Sequence, residues 1–141
     1  MSEFQVDEYT FKSEYYYDSN HGWARDDGDL VTVGLTDFAQ KLAGDFIHIA
    51  LPRLGKRVVA GKPLASVESG KWVGRVHAPV SGEVVEVNEE LDERVGLLNS
   101  DPYNAGWIAR IAPDDKAELS ALMKGEAVRE FILAEKAKHS K

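Results

Sequence analysis

No cysteine occurs among the 141 residues. That absence excludes a disulfide framework, a thiol nucleophile and a cysteine-built metal site, and it suits a reducing compartment, the cytoplasm being the one expected. An excess of positive charge is missing as well: the formal net charge is −7 and the pI is about 5.1. Nucleic-acid binding rests on clustered Lys and Arg that release counterions from phosphates, so no nucleic-acid partner is expected. No apolar run approaches the length of a membrane span. The opening stretch MSEFQVDEYTFKSEYYYD is acidic and aromatic where a secretory leader is basic and then apolar, so a soluble, unprocessed protein with no membrane partner is expected.

What the chain does contain is an ordinary globular mixture, 43% hydrophobic and 29% charged, long enough for a real core. One domain over residues 1–141 is expected, with its core at about 13–112 and helices at about 115–137. Residues 1–14 show no clear period and read as a loose arm. Tyr15, Tyr16 and Tyr17 read as a short strand or an apolar lid over the core. An Asp-Gly turn signal at Asp27-Gly28 joins Trp23-Ala24 to the run Leu30 to Val33. Residues 36–43 read as a short helix that Thr36 can cap and Gly44 can end in the left-handed conformation, with Phe38 and Leu42 on its buried face.

Residues 45–51 alternate as a strand with Phe46, His48 and Ala50 on one face. His48 inside it reads as a hydrogen-bonded structural residue, because no second ligand stands at metal-site spacing. Residues 88–101 form a polar loop anchored by Leu97-Leu98, and Trp107 to Ile111 reads as a closing strand. After Pro113 the period becomes helical: Asp115 and Glu118 resemble a capping box, and Val128, Phe131, Ile132 and Glu135 stripe a second helix. Short strands between frequent turns, with helices at the end, predict a mainly β fold, an antiparallel β sandwich or flattened barrel.

The stretch Ala65 to Val87 organises this pattern. Two β-branched runs flank Ser69-Gly70-Lys71, which predicts a hairpin with Lys71 at its tip; Gly70 as the first central residue would suit a type II′ turn. A tip lysine is commonly nothing more than solubilising charge. Pro79-Val80-Ser81-Gly82 predicts a second turn that sends Glu83 to Val87 back as another strand. Catalytic machinery is not evident. Gly70-Lys71-Trp72 lacks the rest of a phosphate loop and opens no helix, no Gly-x-Ser-x-Gly elbow is present, and neither Glu68 nor Lys71 shows a sign of desolvation. No catalytic residue and no metal ligand is therefore assigned.

A resemblance covers about residues 13–134. His21 and Trp23, the run Thr32 to Gln40, Leu51-Pro52, Val67-Glu68-Ser69 and Lys71, Ala78 to Asn88, Asn99, Asp101-Pro102-Tyr103 and Gly106-Trp107 are similar to the glycine cleavage H-protein family, lipoyl carriers of the biotinyl/lipoyl-domain (hammerhead) class. The resemblance implies a non-enzymatic carrier with lipoate attached covalently to Lys71, and tip recognition through Glu68, Ser69, Gly70 and Trp72. It also implies an arm cleft drawn from Asn20, His21, Gly22 and Arg75. Implied partners are a lipoate–protein ligase or equivalent maturation enzymes and a dihydrolipoamide dehydrogenase. A carrier needs no catalytic pocket, since the cofactor supplies the chemistry and the protein supplies reach and recognition. Biotin is the weaker alternative, because the lysine lacks flanking methionines.

Two departures bear on the cargo. The family's tip usually has a carboxylate where Arg75 stands, and usually Glu where Gly22 stands; in the family these carboxylates help hold an aminomethyl cation. Arg75 would suit an anionic cargo such as a sulfonate or thiosulfonate, or it simply lies on a solvated strand face while Trp72 packs at the tip. The anionic reading resembles lipoate-binding proteins of the heterodisulfide-reductase-like sulfur-oxidation system and implies that complex as a partner. The alternative is a carrier of aminomethyl from glycine decarboxylase to the aminomethyltransferase. A third reading is an unmodified structural homologue.

Overall fold

The computed structural model describes residues 2–138. In chain order the elements are β1 (Glu3–Val6), β2 (Tyr9–Lys12), β3 (Tyr16–Tyr17), β4 (Gly22–Asp26), β5 (Val31–Leu35), α1 (Asp37–Ala43), β6 (Phe46–Ala50), β7 (Arg57–Val58), β8 (Pro63–Ser69) and β9 (Val73–His77). There follow β10 (Gly82–Val87), the single turns α2 (Glu90–Glu93) and α3 (Leu97–Ser100), β11 (Ala109–Pro113), a 3-10 helix over Lys116–Ala121, and α4 (Glu126–Lys138). Every strand pairing among the described residues is antiparallel: β1-β2, a six-stranded sheet in the order β3-β4-β5-β11-β10-β7, and a three-stranded sheet in the order β6-β8-β9. This is the expected mainly β sandwich of the biotinyl/lipoyl type, with a short helix after β5 and helical structure at the end.

The larger sheets share one core. Val31, Val33 and Leu35 of β5, Val84 of β10 and Ile111 of β11 meet Phe46 and Ile49 of β6, Val67 of β8 and Val76 of β9, all buried. Each such side chain removed from water contributes on the order of 1.5–3 kcal/mol before entropy is counted. A second, aromatic cluster of Phe11, Tyr15, Tyr17, Trp23, Phe38 and Tyr103 is covered by Val128 and Ile132 of α4. Tyr103 ties it together: its hydroxyl donates to the Thr10 carbonyl at 2.6 Å and accepts from the Asp37 amide at 3.0 Å.

Several expectations change. The first fourteen residues are no loose arm: Phe4 pairs with Phe11 across β1-β2, Asp7 turns the hairpin at φ 54, and Lys136 of α4 bonds the Asp7 and Glu8 carboxylates at 2.9 and 3.0 Å. Glu118 closes no capping box, because its carboxylate accepts from the Ser81 amide at 2.7 Å; Asp115 alone caps, and what it caps is a 3-10 helix, with α4 after it. The polar loop is anchored by Leu91 as well as Leu98. Glu83 to Val87 is a strand as expected, but it does not return along β9: β10 pairs with β11 and β7. The run from Trp107 does not close a sheet edge either, since β11 lies inside the six-stranded sheet.

The alternation expected over residues 45–51 is broken by a bulge. Phe46 pairs with Ser69 and His48 with the adjacent Glu68, so Ile47 is the extra residue and stands 61% exposed. Phe46 and Ile49 both reach the core in consequence, and His48 is exposed and its ring makes no hydrogen bond among the described residues, so it is not the hydrogen-bonded structural residue expected. The β4-β5 hairpin and α1 are as expected, and the Thr36 hydroxyl accepts from the Ala39 amide at 3.1 Å; Gly44 ends the helix at φ 82 and ψ −162, extended beyond the left-handed helical conformation expected. Among the described residues no helix is long and apolar enough to cross a membrane.

Candidate functional site

The β8-β9 hairpin ends in a two-residue tip, Gly70-Lys71, closed by the Ser69 amide donating to the Trp72 carbonyl at 2.8 Å. Gly70 does not have positive φ, so the expected type II′ turn is not formed. The buried Ser69 side chain holds the bend instead. Its hydroxyl donates to the Ala43 carbonyl at 2.6 Å and accepts from the Lys71 amide at 3.3 Å, a Ser-turn that fixes the two residues beyond it. The tip is thereby tied to the last turn of α1.

A second tie comes from a residue that turn chemistry alone does not single out. Asn99 of α3 accepts from the Phe46 amide at 3.0 Å and donates to the Gly44 carbonyl at 2.8 Å and to Gln40 at 3.2 Å. It links the end of α1 to the start of β6, beside the hairpin. Its place in the family pattern is the only sequence signal that could have found it.

Lys71 is exposed, and its Cε lies 3.3 Å from where a β-carbon on Gly44 would sit. The stem thus rests on the end of α1, over a shallow depression of about 380 Å³ lined by Ala43, Gly44, Asp45, Ile47 and Gly70. Its Nζ makes no ion pair or hydrogen bond among the described residues. An exposed primary amine on a braced support can be acylated without disturbing the core, and nothing at the tip blocks a long acyl chain.

The other tip residues divide. Glu68 is exposed on the outer face, paired with His48 and Val73. Ser69 and Trp72 face inward: the half-buried Trp72 ring packs edge-on to Phe46 at 6.2 Å and covers Gly74, where a β-carbon would meet it at 2.2 Å. Trp72 is thus engaged in packing the tip.

The four cleft candidates are not gathered beside Lys71. Asn20 lines a cavity of about 490 Å³ with Asp18, His77 and Glu118. His21, held at φ 69, lies beneath α4, where Nε2 hydrogen-bonds Glu135 at 3.0 Å and the ring packs on Phe38 and Phe131. Gly22 is buried in β4, and a side chain there would meet the Asp18 carboxylate at 3.1 Å. That carboxylate accepts from the Asn20 and Gly22 amides at 2.9 and 2.8 Å; burial pushes its pKa up, and these amides pull back. Arg75 is exposed on the outer face of β9, in a groove with Arg53 and Lys56. Among the described residues no three His, Asp or Glu side chains are grouped to hold a metal.

Comparison with known proteins adds to this geometry. The family model described as Glycine cleavage H-protein matches residues 15–135. The chain is 46% identical over 132 residues to glycine cleavage system H protein 4 of Aquifex aeolicus, covering 94% of this chain and 77% of the relative. It is 49% identical over 131 residues to a probable glycine cleavage system H protein of Pyrococcus abyssi, covering 91% and 96%. The crystal structure of a glycine cleavage system H protein from Mycobacterium marinum superposes with a TM-score of 0.70 at 31% identity, over 79% of this chain and 97% of that one. These names overturn the expectation of a sulfur-derived cargo with a heterodisulfide-reductase-like complex as partner. Arg75 and Lys71 line separate depressions, so the arginine is not at the seat of the lysine stem.

Proposed function

This chain belongs to the glycine cleavage H-protein family, and on that premise we propose that Lys71 bears the lipoyl group and presents aminomethyl, taken from glycine decarboxylase, to the aminomethyltransferase. The family is a non-catalytic component of its system, carrying lipoate covalently on a lysine. The observation that carries the assignment to Lys71 is its place: an exposed amine, unpaired among the described residues, at a hairpin tip braced on α1 by Ser69. When bound, the lipoyl group supplies a dithiolane whose sulfur takes up and releases the one-carbon cargo. The chain's own part is to hold the root of that arm. Ser69 and Asn99 fix the bend and its seat, Gly44 leaves room for the lysine stem, and the lack of cysteine leaves no protein thiol to compete for the sulfurs.

Asp18 places its carboxylate 3.1 Å from where a side chain at Gly22 would begin, where it accepts from the Asn20 and Gly22 amides. The carrier works as one cytoplasmic domain, is charged with lipoate by a lipoate–protein ligase or equivalent maturation enzymes, and is reoxidised by a dihydrolipoamide dehydrogenase. Intact mass after expression in a lipoylating host tests the site: the wild type gains one lipoyl increment and Lys71→Ala gains none. An increment that survives in Lys71→Ala defeats the assignment. Reconstituted glycine–bicarbonate exchange with the lipoylated protein then tests the cargo, and no exchange above background defeats the aminomethyl reading.

A further inference from the structure

The outward face of the β6-β8-β9 sheet is laid out in two rows. Nearest the tip, His48, Glu68 and Val73 stand side by side; one row back come Ala50, Ser66 and Arg75. The second row opens into a groove of about 360 Å³ whose floor and walls include Leu51, Pro63 and Ser66 and whose charged members are Arg53, Lys56 and Arg75. No carboxylate among the described residues lines it. Glu68, on the same face, belongs to the row in front and makes no ion pair with Arg75 among the described residues.

Such a patch is out of keeping with the rest of the molecule. The net charge is −7, and many of the other cations are paired, Arg25 with Asp27, Arg57 with Asp114, Arg94 with Glu90 and Arg110 with Glu86, whereas the groove gathers three that are not. Arg53, Lys56 and Arg75 have no ion pair among the described residues. Three like charges held together without a counter-charge repel one another, and a ligand of opposite sign relieves that repulsion as it binds. The groove runs along the sheet that ends in Lys71, four residues or about 13 Å of strand from Arg75. A partner seated in the groove therefore has the root of the arm next to it.

We propose that this groove docks an extended acidic segment of an enzyme that works on the arm, its Asp and Glu carboxylates engaging Arg53, Lys56 and Arg75. The choice of partner rests on the carrier reading above; the acidic chemistry rests on the groove alone. Long-range attraction of this kind raises the rate of encounter and fixes register, while the overall negative field rejects the same segment elsewhere on the surface.

The test uses the unlipoylated protein, so that it stands or falls apart from the assignment of Lys71. A hexaglutamate peptide is titrated into 15N-labelled protein at low salt, with hexaglutamine as control. The largest amide shifts are expected at Arg53, Lys56, Ser66 and Arg75, none with hexaglutamine, and affinity falls about tenfold in R53Q/K56Q/R75Q but stays unchanged in the equal-charge control R94Q/K124Q/R129Q. All six side chains lie at the surface, and coincident thermal melts establish that the variants fold. Shifts spread over the whole surface, equal weakening in both triple variants, or equal binding of hexaglutamine overturns the proposal. So does sedimentation showing that wild-type protein self-associates and that the peptide dissolves the complex, for then a second copy is the occupant. With lipoylated protein, the groove variant is expected to raise KM for the carrier severalfold in exchange assays while kcat holds.

Discussion

Ser69 and Ala43 are joined by a 2.6 Å hydrogen bond from hydroxyl to main-chain carbonyl, and through it the β-hairpin that carries Lys71 is fastened to a helix from another part of the chain. The bond is buried, so neither group has water as an alternative partner. Replacing Ser69 by Ala leaves the Ala43 oxygen unsatisfied and frees the Lys71 amide. A loss of about 1–3 kcal/mol is expected in urea unfolding. Faster hydrogen exchange at Lys71 and slower enzymatic lipoylation should accompany it; an unaltered exchange rate at Lys71 would show that the bend is held by something else.

Asn99 supplies the neighbouring brace, with three hydrogen bonds in the half-buried space between α1 and β6. Asn99→Ala is expected to cost about 2–3 kcal/mol, because a backbone amide and a carbonyl lose their partner at once. Asn99→Asp keeps the acceptor to Phe46 but sets a charge against the Gly44 carbonyl, so it rescues little. Denaturant midpoints at constant m-value check both.

Gly70 at the tip and Gly74 in β9 should respond oppositely to alanine. At Gly70 φ is not left-handed and a β-carbon added there would have nothing within 4 Å, so Gly70→Ala is neutral or gains up to about 1 kcal/mol from the stiffer unfolded chain. At Gly74 the β-carbon would meet the Trp72 ring at 2.2 Å. The indole must lift off the sheet and from Phe46, at a cost of about 1–3 kcal/mol. A red-shifted tryptophan emission in Gly74→Ala, absent in Gly70→Ala, reports that movement.

Two carboxyl groups set opposing pH dependences. Glu135 is raised by burial, yet the Lys138 ammonium and His21 outweigh this and hold its pKa below the usual 4.5. Its contribution is therefore complete above that value and is lost as pH falls through the lower native pKa. Wild type should exceed Glu135→Gln by about 0.5–1 kcal/mol near neutrality and lose the advantage in acid. Asp18 is pushed above its usual 3.8, chiefly by burial. The fold thus prefers its protonated form, and this preference fades as pH rises through the native value. Asp18→Asn should stabilise at pH 7 and match wild type in acid. Urea midpoints from pH 3 to 8 separate the two signs.

Strong local chemistry is readable from the residues alone. Asp27-Gly28 marks the β4-β5 turn, Thr36 and Gly44 bound α1, and the β-branched runs about Ser69-Gly70-Lys71 mark the hairpin. What fails is decided by partners distant in the chain. Glu118 leaves a capping box for Ser81, 37 residues away, and Tyr103 and Lys136 turn the first residues into a docked hairpin. Ile47 upsets a clean alternation because a bulge is a property of two strands, invisible in one. The family pattern singles out Asn99, Tyr103 and Trp23. Their work is structural: Trp23 donates to the Pro102 carbonyl at 3.0 Å, as Asn99 and Tyr103 brace α1. The placement of the cleft residues escapes local reasoning for the same reason, since His21 lies under a helix whose position no local pattern gives.

The extra residue at Ile47 also matters to the protein in bulk. β6 and β9 are the free margins of the sheet that bears Lys71. A straight, uncharged margin would template another strand, chain upon chain. The kink at Ile47 spoils the spacing such stacking needs, and Arg75 keeps the opposite margin charged.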